Sequence, residues 1–516
     1  MSEKNLYLTI DNGGTTTKVV IHDQMGKQIA VSSFPTKRIE EHTGFREINL
    51  TDLWESIQLA IIDALTLKKL NPNKIKAISV VGHGKGLYPL NKSGEIFMHG
   101  ILSTDERGTE LASMFNDRID QLWSITNQPI VGAQAPVLLN WLKNHEREKY
   151  NQIGFVLSAK DFVRFQLTGE MKQEIGDASG NNLVNIHSKT YDEKIFDFFE
   201  IDEMSNCMPA LIASTNHQAT VSENVSARTG IPAGTPVLGG LFDIQACTLA
   251  TGVLDSKTFG LIAGTWSINV YPSKTLLKQT TDLMVSILPD FFKENGYLIE
   301  ASSATSAGNL DMMINMLLAD EKLRAIENGK TIYDDLDVLL ANTDPTFVKM
   351  FYLPFLYGSN GGQGAKASFV GLNSNSSKSE MIKAVYEGIA FAHNYHIEQL
   401  LKIKGKQPDV IRISGGATNS DNWVQMFSDI LGIPIETVEG TELGALGGMI
   451  LAAYSLSEDI EIGEVVNQLV IKKKRFEPNL VSRNLYKKKY QVYSDIVDSL
   501  STIWNELNET NKEMES

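Results

Sequence analysis

A short strand–turn–strand pattern occurs in two distant parts of the sequence and restricts the fold more than any other feature. In the first copy, β-rich runs at 6–10 and 15–21 flank the turn Asp11-Asn12-Gly13-Gly14. In the second copy, a β-rich run over 258–271 is interrupted at Gly264-Thr265. The repetition predicts a duplicated protein with two lobes.

Strands and helices alternate around these two hairpins. Leu53, Ile57 and Ile61 recur at helical spacing, which predicts a helix over 50–67 with Thr51 as its N-cap. The other predicted elements are strands at 75–81, 235–241 and 410–414 and helices at 137–149, 244–250 and 422–431. This alternation predicts an α/β fold with parallel strand pairing.

The charge and cysteine content exclude some partners and compartments. The 516-residue chain has a net charge of −15, which argues against nucleic acid because neutralising phosphates needs a basic face. A small anion such as ATP remains compatible, since backbone N–H groups and one metal ion suffice to bind it. Cys207 and Cys247 form no CxxC or zinc pattern. With neither a signal-peptide pattern nor a membrane span in the sequence, we expect a cytoplasmic protein with no membrane partner.

Residues 11–18 form the first candidate site. Glycines let a backbone approach a phosphate closely, and N–H groups with threonine hydroxyls bind its oxygens. Asp11, at the end of a strand, is suited to hold Mg²⁺ directly or through water. The alternative is a tight hairpin turn with an Asx cap. The common P-loop, GxGxxG, HExxH and GxSxG patterns are absent from the chain.

Asp243 and the 82–86 loop are the next candidates. Asp243 follows an apolar strand, where α/β proteins place ligand chemistry, and it is suited to accept a proton from a substrate hydroxyl. Capping the helix from 244 is an equally sound role. The loop Gly82-His83-Gly84-Lys85-Gly86 exposes a histidine and a lysine to a polyhydroxylated ligand, or is a flexible surface hairpin.

Two further segments carry weaker signals. Taken alone, the cluster Asp105-Glu106-Arg107 favours a surface ion pair. In the segment 414–419, Gly415 and Gly416 stand between a strand and a helix, where they would let a flat ligand lie against the backbone. An ordinary turn between the strand and the helix is the alternative there.

Together and in this order, these residues resemble the FGGY family of carbohydrate kinases over about residues 5–455. The segment 367–372 and, after a spacer, Glu380-Met381, Ala384-Val385-Tyr386 and Glu387 fit the family's C-terminal signature. The resemblance implies an α/β protein with two RNase H-like lobes of the actin and hexokinase type around a central cleft. Residues 1–251 would form the sugar-binding N-terminal lobe, 252–455 the nucleotide-binding lobe, and 456–516 a helical tail packed back on the lobes.

The resemblance further implies an ATP-dependent sugar kinase that uses Mg²⁺. Asp243 matches the family's catalytic base, and Asp11 its metal ligand. The implied substrate-binding residues are His83, Gly84, Lys85, Asp105, Arg107 and Asp243. The implied ATP-binding residues are Asp11, Gly13, Gly14, Thr15, Thr16, Gly264, Thr265, Gly415, Gly416 and Asn419.

The residues of the 82–86 loop separate branches of the family. Lys85 stands where D-xylulose kinases carry a histidine, and the Arg-Glu pair of glycerol kinases is absent. Together with the stretch 102–105, this makes the sequence most similar to the L-xylulose kinase branch, although Leu138 replaces a lysine of the N-terminal signature. A cationic Lys85 would also favour a keto sugar acid.

We therefore expect phosphorylation of a primary hydroxyl of a small ketose that is L-xylulose-like or a keto sugar acid. The alternatives are a gluconate, glycerol or erythritol kinase of the same family, or a non-catalytic protein of this fold that is switched by nucleotide. A homodimer is common in the family, and the sequence leaves the oligomeric state open.

Overall fold

The computed structural model describes residues 5–276, 283–288, 296–359, 364–457 and 460–515. Contacts divide the chain into two compact units. The first contains residues 1–254, 272–299 and 440–471, and the second contains 255–271, 300–439 and 472–516. The units are discontinuous in sequence, whereas the lobes expected above were continuous ranges.

The strands and helices follow in chain order. The strands are β1 (Leu6–Asn12), β2 (Thr16–Asp23), β3 (Gln28–Pro35), β4 (Arg38–Ile39), β5 (Glu47–Ile48), β6 (Ile75–Gly82), β7 (Tyr88–Asn91), β8 (Gly100–Ile101), β9 (Ile153–Leu157), β10 (Lys172–Glu174), β11 (Ala210–Ile212), β12 (Leu241–Phe242), β13 (Thr258–Ala263), β14 (Ser267–Ser273), β15 (Met284–Leu288), β16 (Gly296–Ser303), β17 (Phe351–Leu353), β18 (Ser368–Val370), β19 (Val410–Gly415), β20 (Ile435–Val438) and β21 (Lys472–Phe476). The helices are α1 (Leu50–Leu67), α2 (Thr109–Asn116), α3 (Asp120–Thr126), α4 (Ala135–His145), α5 (Arg147–Gln152), α6 (Ala159–Thr168), α7 (Ile175–Gly180), α8 (Glu193–Phe198), α9 (Glu223–Thr229), α10 (Asp243–Ala250), α11 (Ala307–Leu317), α12 (Ala319–Glu327), α13 (Ile332–Ala341), α14 (Lys378–Lys404), α15 (Asp421–Leu431), α16 (Leu443–Ser455), α17 (Ile462–Leu469) and α18 (Leu480–Glu515).

The sheet of the first unit has the strand order β12-β6-β1-β2-β3. β1 pairs antiparallel with β2 and parallel with β6. Because side chains alternate along a strand, Leu8 and Ile10 enter the core beside α1 while Thr9 faces the other way. The Thr9 hydroxyl donates to the Ala445 carbonyl of α16 at 3.0 Å. Helices α1 and α16 therefore cover opposite faces of the sheet.

Three glycines let α16 approach its neighbours closely. A Cβ on Gly447 would lie 2.1 Å from the Ala246 carbonyl oxygen of α10. One on Gly448 would lie 2.6 Å from Thr9, and one on Gly444 would lie 2.7 Å from a carboxylate oxygen of Asp11. No side chain fits at such distances, so the glycines set how near α16 comes to β1 and α10.

The second unit repeats the arrangement of the first. β13 pairs antiparallel with β14 and parallel with β19, as β1 pairs with β2 and β6. β20 extends the sheet in parallel, and the lysine-rich β21 pairs antiparallel with β20. The repeated hairpin and its parallel neighbour confirm the predicted duplication and the α/β class.

Three predicted elements differ from the structure. Helix α1 is capped by Asn49, not Thr51, because the Asn49 side chain accepts from the backbone N–H groups of Thr51 and Asp52. The strand predicted over 235–241 is reduced to β12 because Gly240 has a φ of +83° and lies against the Val80 carbonyl. The helix predicted over 137–149 is split into α4 and α5 at Glu146, whose φ is −132°.

The C-terminal helix α18 packs within the second unit, on α15. Tyr486 and Tyr493 are buried, and the ring centroids of Tyr493 and Phe391 are 5.2 Å apart. Lys489 forms an ion pair with the buried Glu387 of α14. Of all the helices in the described ranges, none is both long enough and apolar enough to cross a membrane.

Candidate functional site

The first loop, residues 11–18, is a tight hairpin between β1 and β2. The Gly13 N–H donates to the Thr16 carbonyl at 3.2 Å, and the Asn12 side chain accepts from the Thr17 hydroxyl at 3.0 Å. A Cβ on Gly13 would lie 2.8 Å from the Thr16 oxygen, so the turn requires glycine there. Thr15 is exposed and Gly14 partly exposed at its tip. The hairpin interpretation is thus correct, and the turn still presents to solvent the groups expected to bind phosphate.

Two carboxylates lie close together beside this loop. Burial, followed by the charge of Asp243, raises the pKa of Asp11 to about 7, while Lys18 opposes the shift. Burial and both carboxylates also raise the pKa of the Cys247 thiol. Asp243 is the first residue of α10, and its carboxylate accepts from the Ile244 N–H at 2.8 Å. The structure therefore brings together the predicted metal ligand and the predicted base.

Glu442 is a residue of this site that the sequence did not reveal. Its carboxylate lies 2.5 Å from the Lys18 ammonium, although the two residues are 424 positions apart. It stands directly before α16, whose Gly444 lies against Asp11. The glycine-rich run that begins at 440 was the available signal for a helix held close to another element.

The 82–86 loop is anchored and does not form a hairpin, because β7 pairs with β9 and not with β6. His83 is buried, with Nε2 2.8 Å from the Tyr88 hydroxyl and Nδ1 3.3 Å from the Gly84 carbonyl. Burial lowers its pKa to about 4, so the ring is neutral. In this arrangement Nδ1 carries the proton and donates to the Gly84 carbonyl, and Nε2 accepts from the Tyr88 hydroxyl.

Lys85 has an uncommon backbone conformation for a residue with a side chain, with a φ of +65°. Its half-buried ammonium lies 3.6 Å from the Met284 sulfur. Gly86 follows with a φ of +82°, and its N–H donates to the Ala133 carbonyl at 2.7 Å. A Cβ on Gly86 would lie 2.6 Å from the Ile101 carbonyl oxygen. The neighbouring segment thereby fixes where the Lys85 side chain emerges.

Asp105 and Arg107 do form the predicted ion pair, but its predicted surface location is wrong, because both side chains are fully buried. The Arg107 guanidinium lies 2.9 Å from Asp105 and 2.7 Å from Glu47. It also lies over the Phe45 ring at 4.4 Å and the Trp141 ring at 5.1 Å. A pair enclosed in this way holds the segment after β8 in place, next to Gly86.

A buried charged cluster behind the 82–86 loop was also missed. The Lys160 ammonium lies 3.0 Å from Asp161, 3.5 Å from Glu174 and 3.8 Å from Asp177. A Cβ on Gly82 would lie 3.1 Å from the Lys160 Cβ, so the cluster borders the start of the loop. Lys160 and Asp161 lie in α6, whereas Glu174 lies in β10 and Asp177 in α7, so no local spacing predicts that all four meet.

The second unit brings the other predicted residues together. The second loop, Gly264-Thr265, joins β13 to β14, and Ala263 pairs with Gly415 at the end of β19. A Cβ on Gly415, which has a φ of +91°, would lie 2.5 Å from the Ala263 carbonyl oxygen. Gly416 and Asn419, which are both exposed, bound the 3₁₀ turn that follows.

The second loop also contacts the start of α11. The Ala307 N–H donates to the Gly264 carbonyl at 2.8 Å, and a Cβ on Gly308 would lie 3.0 Å from the Thr265 methyl group. Thr265 itself is exposed. Sequence analysis did not single out Ala307 or Gly308, which lie more than 40 residues along the chain from this loop.

The residues of the first loop fit a magnesium ion that keeps most of its water. Within the described residues, no group of three or more His, Cys, Asp or Glu is arranged to hold a metal. Mg²⁺ in kinases is typically held by one or two carboxylates, with water and substrate phosphates completing the shell. Burial is the main cause of the raised pKa of Asp11, and the additional repulsion from Asp243 is an interaction that a nearby dication would relieve.

Comparison with known proteins shows what the chain is similar to. Residues 6–250 match the N-terminal domain of the FGGY family of carbohydrate kinases, and residues 260–456 match its C-terminal domain. A probable L-xylulose kinase of Pasteurella multocida is 30% identical over 97% of this chain and 100% of that protein. An L-xylulose/3-keto-L-gulonate kinase of Escherichia coli is 28% identical over 96% of this chain and 97% of that protein.

Solved structures share the fold. A xylulose kinase of Lactobacillus acidophilus superposes with a TM-score of 0.86 at 24% identity, covering 98% of this chain and 100% of that chain. A glycerol kinase of Plasmodium falciparum superposes with a TM-score of 0.82 at 19% identity, covering 96% of this chain and 98% of that chain. These neighbours confirm the predicted fold of the actin and hexokinase type. Because the family domains span most of the sequence, the chain belongs to the FGGY family of carbohydrate kinases and is an ATP-dependent sugar kinase.

Proposed function

We propose that this kinase phosphorylates a primary hydroxyl of a small ketose that is L-xylulose-like or a keto sugar acid. The observation that carries the proposal is Lys85, a half-buried cation with a positive φ that stands next to Gly86, which lies against the Ile101 carbonyl. An ammonium held there suits several hydroxyls or one carboxylate. The substrates in the names of the two bacterial relatives support the same class.

Asp243 acts as the general base in the proposed reaction. Its carboxylate takes the proton of the sugar hydroxyl as that oxygen forms a bond to the γ-phosphorus, and the bond to the β-phosphate oxygen breaks to release ADP. The bond from the Ile244 N–H to Oδ1 orients the carboxylate at the start of α10. The sugar side is completed by His83 and Gly84, which shape the 82–86 loop. The buried pair of Asp105 and Arg107 supports that loop.

Nucleotide binding is assigned to three glycine-containing turns. In the first unit these are Gly13, Gly14, Thr15 and Thr16, and in the second unit Gly264 and Thr265 with Gly415, Gly416 and Asn419. Backbone N–H groups and threonine hydroxyls suit phosphate oxygens, and the exposed glycines Gly415 and Gly416 suit the flat face of a base. Asp11 would hold Mg²⁺ through water, and the ion would neutralise charge on the phosphates.

Asp243→Asn tests the base. The amide oxygen still accepts from the Ile244 N–H, so α10 keeps its start, but the side chain no longer takes a proton. We expect kcat to fall by about 10²–10⁴-fold. The affinity for ATP, measured by calorimetry without sugar, should stay within about twofold. Near-normal turnover with the preferred sugar would refute the role of Asp243.

Lys85→Met tests the substrate class, with ADP release measured on L-xylulose, D-xylulose, 3-keto-L-gulonate, gluconate, glycerol and erythritol. Losing a charge-assisted hydrogen bond of about 1.5–3 kcal/mol should lower kcat/KM for the preferred substrate about 10–100-fold. The KM for ATP should change little. Lys92→Met removes the same charge from an exposed position and serves as the matched control. An unchanged substrate profile in Lys85→Met would remove Lys85 from the sugar site.

A further inference from the structure

His393, in the middle of α14, links the two segments that border the second loop. It is fully buried. Its Nδ1 lies 3.0 Å from the Asn269 side-chain oxygen on β14, the strand that leaves the loop. Its Nε2 lies 3.0 Å from the Ser306 hydroxyl, at the residue directly before α11. One imidazole therefore connects the strand after the loop with the helix that contacts the loop.

The neighbouring bonds fix the direction of each hydrogen bond. The Asn269 amide nitrogen donates to the Ser267 hydroxyl at 3.3 Å and to the Ala301 carbonyl at 3.5 Å. The Asn269 oxygen is thus the acceptor, and His393 Nδ1 must carry the proton. Burial lowers the pKa of His393 well below its usual value, so the ring is neutral and Nε2 accepts from Ser306. Both ring nitrogens are satisfied in one tautomer.

Ser306 shows that this linkage constrains the backbone at the loop. Its side chain makes no capping bond to α11, because its hydroxyl is directed at His393. The next residue, Ala307, donates its N–H to the Gly264 carbonyl, and Gly308 lies against Thr265. Moving Ser306 would therefore move both contacts that α11 makes with the second loop.

We propose that His393 is a positioning residue that holds the second loop, Gly264-Thr265, in the geometry that binds the phosphates of ATP. The inference rests on the proposed assignment of that loop to the nucleotide. The histidine acts through Asn269 and Ser306 and does not touch the nucleotide itself. Its loss should therefore weaken ATP binding through the loop while leaving recognition of the sugar intact.

The test measures the Kd of ATP by calorimetry in the absence of sugar. Ser306→Ala and His393→Leu each break the linkage, and we expect the Kd to rise about 5–30-fold while the KM of the sugar stays within twofold. His393→Gln should restore part of the affinity, because its side-chain oxygen reaches toward Ser306. Ser306→Ala is the smaller change and keeps the test decisive if His393→Leu does not fold.

His396→Leu is the matched control. His396 is buried on the same helix and bonds Ser303 at 2.7 Å. Its removal should lower the melting temperature as much as His393→Leu but leave the Kd of ATP within twofold. An equal loss of affinity in the two histidine variants would overturn the positioning role and indicate general destabilisation.

Gly264→Val separates failure of this inference from failure of the proposed function. Apart from its chain neighbours, no described residue lies within 4 Å of a Cβ at Gly264, so a valine side chain begins in open space and should occupy room at the loop. If Gly264→Val binds ATP like the wild type, the nucleotide assignment and the inference both fail. If Gly264→Val weakens binding but Ser306→Ala and His393→Leu do not, only the role of His393 is refuted.

Discussion

Lys160 is predicted to be the most consequential single charge in the first unit. Its ammonium is fully buried and is the cation shared by Asp161, Glu174 and Asp177, whose side chains are also buried. Lys160→Met keeps the length and the apolar stem of the side chain but removes the charge. Breaking a buried ion pair by removing one partner costs about 3–5 kcal/mol of unfolding free energy, and here one cation serves three carboxylates.

The cost should depend on pH in a defined direction. Burial, and then Asp161 and Glu174, already hold the pKa of Asp177 at about 7 against the opposing effect of Lys160. Without Lys160 the pKa values of Asp177 and Glu174 in the folded state rise further, so the folded protein binds more protons than the unfolded chain. A raised folded-state pKa gives stability that is lost as pH rises, by about 1.4 kcal/mol per pH unit for each such carboxyl. The variant should therefore be less impaired at pH 5.5 than at pH 8.

Denaturant unfolding followed by fluorescence at pH 5.5 and pH 8 measures both effects. Lys172→Met, at a partly exposed position nearby on β10, is the control and should change stability by less than about 0.5 kcal/mol. Adding Asp177→Asn to Lys160→Met should recover part of the loss, because one uncompensated carboxylate is removed. The reasoning is refuted if Lys160→Met lowers the unfolding free energy by less than about 1 kcal/mol at both pH values. It is also refuted if the variant loses more unfolding free energy at pH 5.5 than at pH 8.

Two other predictions concern packing and acid stability. Gly447→Ala should lower the unfolding free energy by about 1–3 kcal/mol, measured by denaturation, because its Cβ would meet the Ala246 carbonyl at 2.1 Å. Gly463→Ala, with only Leu254 at 3.9 Å, is the control and should be harmless. Burial lowers the pKa of His22 from 6.5 to about 4, so the wild type should lose up to about 3 kcal/mol relative to His22→Gln as pH falls through this interval. If the difference in unfolding free energy between the wild type and His22→Gln stays constant from pH 7 to pH 4, the prediction for His22 is wrong.

Local features of the sequence were sufficient to predict the two hairpins and the positions of their turns. The Asp11-Asn12-Gly13-Gly14 turn lies where it was predicted, because its conformation depends on its own glycines. The bond between Lys18 and Glu442 could not be predicted in this way. The bond exists because α16 belongs to the first unit although it follows most strands of the second sheet along the chain, which is a property of the tertiary fold.

The burial of charged side chains is the other feature that could not be predicted from the sequence. Asp105 and Arg107 are two positions apart, and in an isolated segment both side chains would be solvated. In the structure Phe45 and Trp141, from distant segments, cover the guanidinium, and Glu47 supplies a second carboxylate. The strand predicted over 235–241 failed for a related reason: contact with the Val80 carbonyl selects the positive φ of Gly240.

The two units use the same hairpin and parallel strand but support the turn with different chemistry. The first loop contains Asp11 and Lys18, and Asp243 and Glu442 lie beside it. These are ionisable groups suited to bind a cation and to take a proton. Beside the second loop lies the neutral network of His393, Asn269 and Ser306. A neutral support adds no negative charge near a phosphate, whereas two carboxylates without a cation would repel it. Under the proposed nucleotide assignment, this difference predicts that lowering the Mg²⁺ concentration weakens the contribution of the first loop to ATP binding more than that of the second loop. Gly264→Val should therefore raise the Kd of ATP both with Mg²⁺ and in EDTA. Asp11→Asn should raise the Kd of ATP when Mg²⁺ is present but not in EDTA. An Asp11→Asn variant with the same effect in both conditions would contradict this division.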